Sequence, residues 1–268
     1  MKWEGRWRGY ELRWTADPEA PRLTVSVPGA RGAALVDAAV AEVRHLCGLD
    51  LDLAGFYAAA AGDAVLEGLT VAYRGLRPTL SPGPFEMLVG SVCAQQVNLS
   101  FAFAVRARLV RRFGEPLLVG GEAVYSFPEP AALARASVHE LRRMQLTTRK
   151  AEYIVGLARL IDRGDLDLDG LQSQSNDEVI ARLTAVRGLG RWSAEWFLAR
   201  GLGRGDVCPA GDLGVRRAFE HFYSRGRPLT EASIRRRAAR WGAHQNLAVH
   251  YLLAGRRLGT AALAGGGA

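Results

Sequence analysis

Residues 176–200 read NDEVIARLTAVRGLGRWSAEWFLAR, an amphipathic run broken by Gly188-Leu-Gly190 and then resumed. Asn176 or Asp177 can cap a first helix that runs to about Ala185. The VRGLG segment interrupts it, and RWSAEWFLAR returns to helical spacing. Gly188 and Gly190 allow a tight turn with positive φ and leave no side chain in the way. The second helix then starts with free N–H groups and the positive end of its dipole, an arrangement that receives phosphate. Arg187 and Arg191 flank the turn. Gly-x-Gly is also how an ordinary helix turn is stopped, so this stretch alone leaves the plainer reading open.

Charge distribution adds to the phosphate reading. The 268-residue chain carries a net charge of +8. Residues 1–80 hold 9 basic and 10 acidic side chains, whereas residues 81–268 hold 26 and 17. The excess sits in the C-terminal two thirds, as expected where that part faces a polyanion. Lys2 and Lys150 are the only lysines. Arginine forks suit phosphate, although a GC-rich genome would also favour arginine codons.

Composition removes several classes. Cys47, Cys93 and Cys208 are far apart and form no C-x-x-C, which argues against a disulfide framework, a zinc site or a four-cysteine iron–sulfur cluster. No apolar run reaches the roughly 18 residues of a transmembrane helix. The start, MKWEGRWRGYELRW, is too charged for a secretory signal. A cytoplasmic protein is the expectation.

Along the chain, RWRGYELRW (6–14) alternates large apolar residues with charges and RLTVSV (22–27) is rich in β-branched residues, so both read as strands joined by a turn at DPEAP (17–21). Residues 33–46, 53–60 and 63–74 have helical periods, and RGLRPTLSPGP (74–84) is the clearest linker. Beyond it helices are expected over about 84–95, 98–113, 130–144, 148–163, 176–185, 191–200, 212–223, 230–240 and 244–258. The predicted fold is mainly α (α+β overall). An N-terminal antiparallel sheet and helix domain (1–78) precedes a helical body (79–258), and residues 259–268 form a frayed tail.

Downstream of the hairpin, GLGRGDVCPAGDLGVRRAF (201–219) is a Gly- and Pro-containing loop that ends at Asp212, 20 residues after Trp192 and at an expected helix start. With this loop the chain resembles the helix–hairpin–helix (HhH-GPD) DNA glycosylase superfamily, in its 3-methyladenine DNA glycosylase II (AlkA-type) branch. The branch's Gly-x-Gly-Arg-Trp-Thr-Ala hairpin reads here Gly188-Leu-Gly190-Arg191-Trp192-Ser193-Ala194, and its loop corresponds to Asp206-Val207…Asp212. Three further segments resemble the family: PFEMLVGSVCAQQVNLSFAFAVRARLVRRFG (84–114), LTTRKAEYIVGLA (146–158) and RWGAHQNLAVHYLL (240–253). Together the matches span about residues 75–258.

The resemblance implies a base-flipping enzyme that cuts the bond between a base nitrogen and the sugar C1′ in damaged double-stranded DNA. It makes Asp212 the catalytic carboxylate, which steadies the oxocarbenium-like sugar or orients water. Asp212 could equally serve as a plain helix cap, and Asp206 reads as a loop acceptor. Trp192 stands where strand-nicking relatives carry a Schiff-base lysine, so base release without strand cleavage is implied. Trp192 and Trp196 share a helix face and are expected to line a base pocket suited to cationic alkylated purines, a core role for the pair being the alternative. Gln96 in the QQV tripeptide aligns with the wedge that fills the vacated stack.

DNA-backbone contacts are expected from Gly188, Gly190, Arg191, Arg187, Lys150 and Arg149, with steep salt dependence. The resemblance further implies two helical subdomains with the active-site cleft between them, a bacterial-type, nucleoid-associated monomer, and no organic cofactor. A sodium or potassium ion at the carbonyls of Thr184, Val186 and Leu189 is what the resemblance adds. Two departures bear on substrate range: Trp241-Gly242-Ala243-His244-Gln245 replaces a Trp-x-Pro-Trp-Arg pattern, and Leu253 stands where relatives carry an aromatic. Of the five histidines, His244 and His250 are the candidates to face the site. Two alternatives remain, a sibling glycosylase for deaminated, oxidised or mismatched bases and a non-catalytic helix–hairpin–helix DNA-binding module.

Overall fold

A computed structural model describes residues 1–15 and 20–259. Most of the expected turn at 17–21 and nearly all of the expected tail at 259–268 lie outside the described residues. The fold is mainly helical with small antiparallel sheets. In chain order the elements are β1 (Lys2–Trp3), β2 (Arg6–Trp7), β3 (Glu11–Trp14), β4 (Leu23–Ser26), α1 (Ala33–Leu46), α2 (Leu53–Ala60), α3 (Ala64–Ala72), α4 (Pro84–Ala94) and α5 (Leu99–Phe113). There follow β5 (Pro116–Val119), β6 (Glu122–Tyr125), α6 (Pro130–Ala134), α7 (Val138–Arg143), α8 (Thr148–Asp162), α9 (Asn176–Thr184), α10 (Arg191–Trp196), α11 (Leu213–Tyr223), α12 (Glu231–Ala238) and α13 (Gln245–Leu258). A π-helical turn, Phe197–Gly201, continues α10.

The chain divides into two interleaved units. Unit 1 holds Met1–Leu46, Ser81–Gln174 and Ala185–Gly188, and unit 2 holds Cys47–Leu80, Ser175–Thr184 and Leu189–Ala268. The expected boundary near residue 78 is therefore displaced, because α2 and α3 do not belong with the N-terminal sheets. Their apolar residues Phe56, Leu66 and Leu69 join Phe219, Trp241 and Tyr251 in the core of unit 2. The Phe56 and Tyr251 rings stand 4.9 Å apart, and a bare Gly255 on α13 lets Leu69 press against the helix backbone. The 74–84 stretch is not free either, since Arg77 donates to the carbonyls of Gly48 (2.6 Å) and Leu51 (2.8 Å).

In unit 1, α4 packs on α5 and α8, and α6 and α7 pack on α8. Leu88, Val92, Val105, Leu109, Ile154 and Leu157 supply the buried faces. Glycine at 83 and proline at the first helical position start α4, while Asn98 and Thr147 cap α5 and α8. Three segments depart from expectation, the first being the strand expected over 6–14, which is two, β2 paired with β1 and β3 paired with β4. The single helix expected over 130–144 is two, because Ser137 and Glu140 form a capping box that starts α7 afresh. Residues 116–125 form an antiparallel hairpin with Leu117 opposite Val124, where Gly120 and Gly121 supply the positive φ of a tight turn.

Leu69 is fully buried against α13. Leu69→Ala is expected to lower unfolding free energy by about 2–5 kcal/mol, read from urea denaturation. A loss under about 0.5 kcal/mol, the scale of a surface substitution, would remove α3 from that core.

Candidate active site

Asp212 begins α11 with extended backbone (φ −73°, ψ 132°). Its Oδ1 accepts from Val215 N at 2.9 Å, the N-cap bond. Its Oδ2 accepts from two indoles, Trp192 Nε1 at 2.8 Å and Trp196 Nε1 at 3.3 Å. Four residues apart, the two tryptophans turn their N–H edges to one oxygen. Hydrogen bonds to an ionised acceptor are the stronger kind, and three of them fix the plane of this half-buried carboxylate. The i, i+4 spacing signalled the tryptophan pair and the loop signalled the aspartate. That they bind each other is what the structure adds.

The loop before Asp212 is braced locally. Ser175, rather than Asn176 or Asp177, caps α9, in a reciprocal arrangement with Glu178. The Asn176 side chain instead donates to Asp206 Oδ2 at 3.0 Å and accepts from Arg204 at 2.7 Å. Leu253 approaches the site beside Gly214, where a Cβ would meet it at 3.5 Å and Asp212 Oδ1 at 3.0 Å. His244 packs near the Phe56 ring. His250 faces Arg200, and burial together with that cation pushes its pKa down to about 4, so it is neutral at physiological pH.

At the hairpin the two glycines differ. Gly188 has φ +99°, and a Cβ there would run into the Tyr153 ring. Gly190 is extended (φ −113°, ψ 179°) and caps α10 without a side-chain bond, so the expectation of positive φ applies to Gly188 alone. A Cβ at Gly190 would meet nothing within 4 Å. No contact within the chain therefore accounts for glycine at this position.

The basic residues named for the DNA backbone are mostly engaged. Arg191 donates to Glu195 Oε1 at 2.8 Å, an oxygen that Arg235 also binds at 2.6 Å. Glu195 is 2% exposed, whereas the Arg191 side chain is 58% exposed. Arg187 pairs with Glu152 at 3.0 Å and lies over Tyr153. Lys150 turns inward to Cys93 O at 2.9 Å, and burial lowers its pKa. Arg149 is exposed.

Gln96 is exposed and holds a left-handed backbone (φ +53°), uncommon for a residue with a side chain. It follows Gln95, whose Nε2 donates to Gly188 O at 2.8 Å. Sequence reasoning passed over Gln95, and the doubled glutamine was its only signal. Gln95, Gln96, Arg149, Lys150, Arg187 and Gly188 group with unit 1, and Gly190, Arg191, Trp192, Trp196 and Asp212 with unit 2.

Residues 89–244 match the family model of the HhH-GPD superfamily base excision DNA repair protein. The chain is 31% identical over 204 residues to a DNA-3-methyladenine glycosylase of Bacillus subtilis, covering 76% of this chain and 67% of the relative. It is 28% identical over 190 residues to DNA-3-methyladenine glycosylase 2 of Escherichia coli, covering 71% and 64%. It thus spans about two thirds of the length of these relatives. A solved 3-methyladenine DNA-glycosylase from Archaeoglobus fulgidus superposes with a TM-score of 0.84 at 30% identity, covering 96% of this chain and 86% of that one. With the hairpin and the aspartate-bearing loop in place and more than half of its length matched, the chain belongs to the HhH-GPD superfamily of base excision DNA repair proteins.

Proposed function

We propose that this protein is a monofunctional DNA glycosylase that releases alkylated purines, of the 3-methyladenine and 7-methylguanine type, from duplex DNA and leaves an abasic site. The observation that carries the reading is the Asp212 carboxylate, held by the indole N–H groups of Trp192 and Trp196. As the bond from C1′ to the base nitrogen breaks, positive charge develops on the sugar. A fixed carboxylate stabilises that charge without reorganising. Water supplies the new C1′–O bond, its proton is lost to solvent or carboxylate, and the bond electrons leave with the base. The two rings, tied to the carboxylate by their N–H edges, are the candidate walls for a flipped base, and indole faces attract an electron-poor purine.

Trp192 has no amine, so it forms no imine with the sugar, which supports hydrolysis over strand cleavage. The bare backbone at Gly190, with no demand for glycine inside the protein, supports close approach of a DNA phosphate there. Arg191, exposed at the same turn, adds charge. Gln96, raised on a left-handed residue and exposed, is the candidate wedge. A monovalent cation at the carbonyls of Thr184, Val186 and Leu189 belongs to the same reading.

Asp212→Asn is expected to lower single-turnover base release about a thousandfold while the Kd for duplex DNA stays within twofold. Release at a near wild-type rate would remove Asp212 from the chemistry. Trp192→Phe and Trp196→Phe keep a ring but lose a donor. Each should lower the release rate roughly tenfold or more, the scale of a hydrogen bond to a charged group, with little change in KM. Borohydride reduction during turnover is expected to trap no enzyme–DNA adduct, and a trapped adduct would favour a strand-nicking sibling. No release from any alkylated or deaminated duplex, with DNA binding intact, would return the non-catalytic binding module.

A further inference from the structure

The candidate wedge, Gln96, sits on the short turn between α4 and α5, and three contacts within unit 1 hold that turn. Lys150 Nζ, from α8, donates to Cys93 O at 2.9 Å, one of the carbonyls that the last turn of a helix leaves open. Gln95 terminates α4, and its Nε2 donates to Gly188 O in the hairpin at 2.8 Å. Gly188 lies so close to Tyr153 of α8 that a Cβ there would strike the ring, and Arg187 lies over the same ring. The contacts close a circuit. Gln95 joins α4 to the hairpin, Tyr153 joins the hairpin to α8, and Lys150 joins α8 back to α4.

The two glutamines divide within this circuit. Gln95 is half-buried and bonded to the hairpin, whereas Gln96 is exposed on a left-handed backbone (φ +53°). A residue with a side chain holds that conformation where its surroundings impose it. Filling a vacated stack offsets the cost of unstacking most fully when the wedge is ordered beforehand. A loosened turn would lose its conformational freedom at each insertion, and that loss would oppose flipping. Simple binding to an intact duplex needs no insertion and would be spared.

We infer that Gln95 is a positioning residue, which through its bond to Gly188 O holds the Gln96 wedge in a fixed place relative to the hairpin and so favours flipping of the damaged base. The inference rests on the glycosylase reading above and deepens it.

The test is a double-mutant cycle on single-turnover base release, using a duplex with 7-methylguanine or hypoxanthine, whichever wild type releases faster. Gln95→Met keeps the length of the side chain and loses the donor. It is expected to slow release about tenfold, the scale of one hydrogen bond, while the Kd for undamaged duplex stays within about twofold. Gln96→Ala should slow release by at least as much. Because Gln95 acts through Gln96, adding Gln95→Met to Gln96→Ala should cost less than about a further twofold. Gln95→Glu supplies a readout in pH, since a protonated carboxyl donates to Gly188 O and a carboxylate does not. Its rate relative to wild type should be lowest near pH 8 and recover as the pH falls toward 5. Additive losses in the double variant would overturn the inference, as would an unchanged rate in Gln95→Met or an equal loss of binding to undamaged duplex. Should Gln95→Met fail to fold, the pH dependence of Gln95→Glu decides, and a ratio to wild type that does not move with pH overturns the inference. An unaffected Gln96→Ala removes the wedge, and the inference with it, but leaves the glycosylase reading standing. Wild type releasing no damaged base defeats that reading instead.

Discussion

Two indole N–H groups meeting one carboxylate oxygen is the constraint on which unit 2 is organised. For Trp192 and Trp196 to reach Asp212 Oδ2 together, α10 must present one face to the start of α11. The loop between them must also end with Asp212 in extended backbone. That placement is enforced from several sides. The Asn246 amide donates to the carbonyls of Ala199 and Arg204, and Asn246 N bonds to Gly205 O. Asn176 holds Arg204 and Asp206. The buried Asn246 Nδ2, donating to two carbonyls, ties this loop down with bonds of defined geometry.

The core behind this loop is built for the same end. Phe219, Trp241 and Tyr251 belong to the apolar cluster beneath α11 and α13, and α11 packs on α13. The helix that carries Asp212 is thereby held along its length by apolar burial and at its first turn by the aspartate's own cap. One residue therefore serves local structure and, in the proposed function, chemistry. Whether Asp212 is a cap or a catalyst was an open choice at the level of sequence. Its two oxygens divide the work, Oδ1 to the backbone and Oδ2 to the tryptophans.

Helical periodicity, glycine punctuation and the hairpin motif made the helical body and the locations of Trp192, Trp196 and Asp212 legible in the sequence. What stayed hidden has physical reasons. The pairing of α2 and α3 with α13 is set by contacts across nearly 200 residues, such as Tyr57 with Tyr251, and a proline-rich linker offers no hint of them. The hairpin at 116–125 was masked by short, weak strand signals between strong helices. Side-chain partners were the least legible. Composition marks Lys150, Arg187 and Arg191 as basic, but only geometry reveals that each already has an acceptor.

The buried Glu195 carries one last consequence. A carboxylate at 2% exposure would be costly to strip of its counter-ion, and that cost would ordinarily immobilise any arginine bound to it. Glu195 has two arginines on the same oxygen, one of them, Arg235, also anchored to Cys208 O. Arg235 would keep the carboxylate paired if Arg191 were drawn away. The departure of the exposed Arg191 guanidinium would leave no naked charge in the interior.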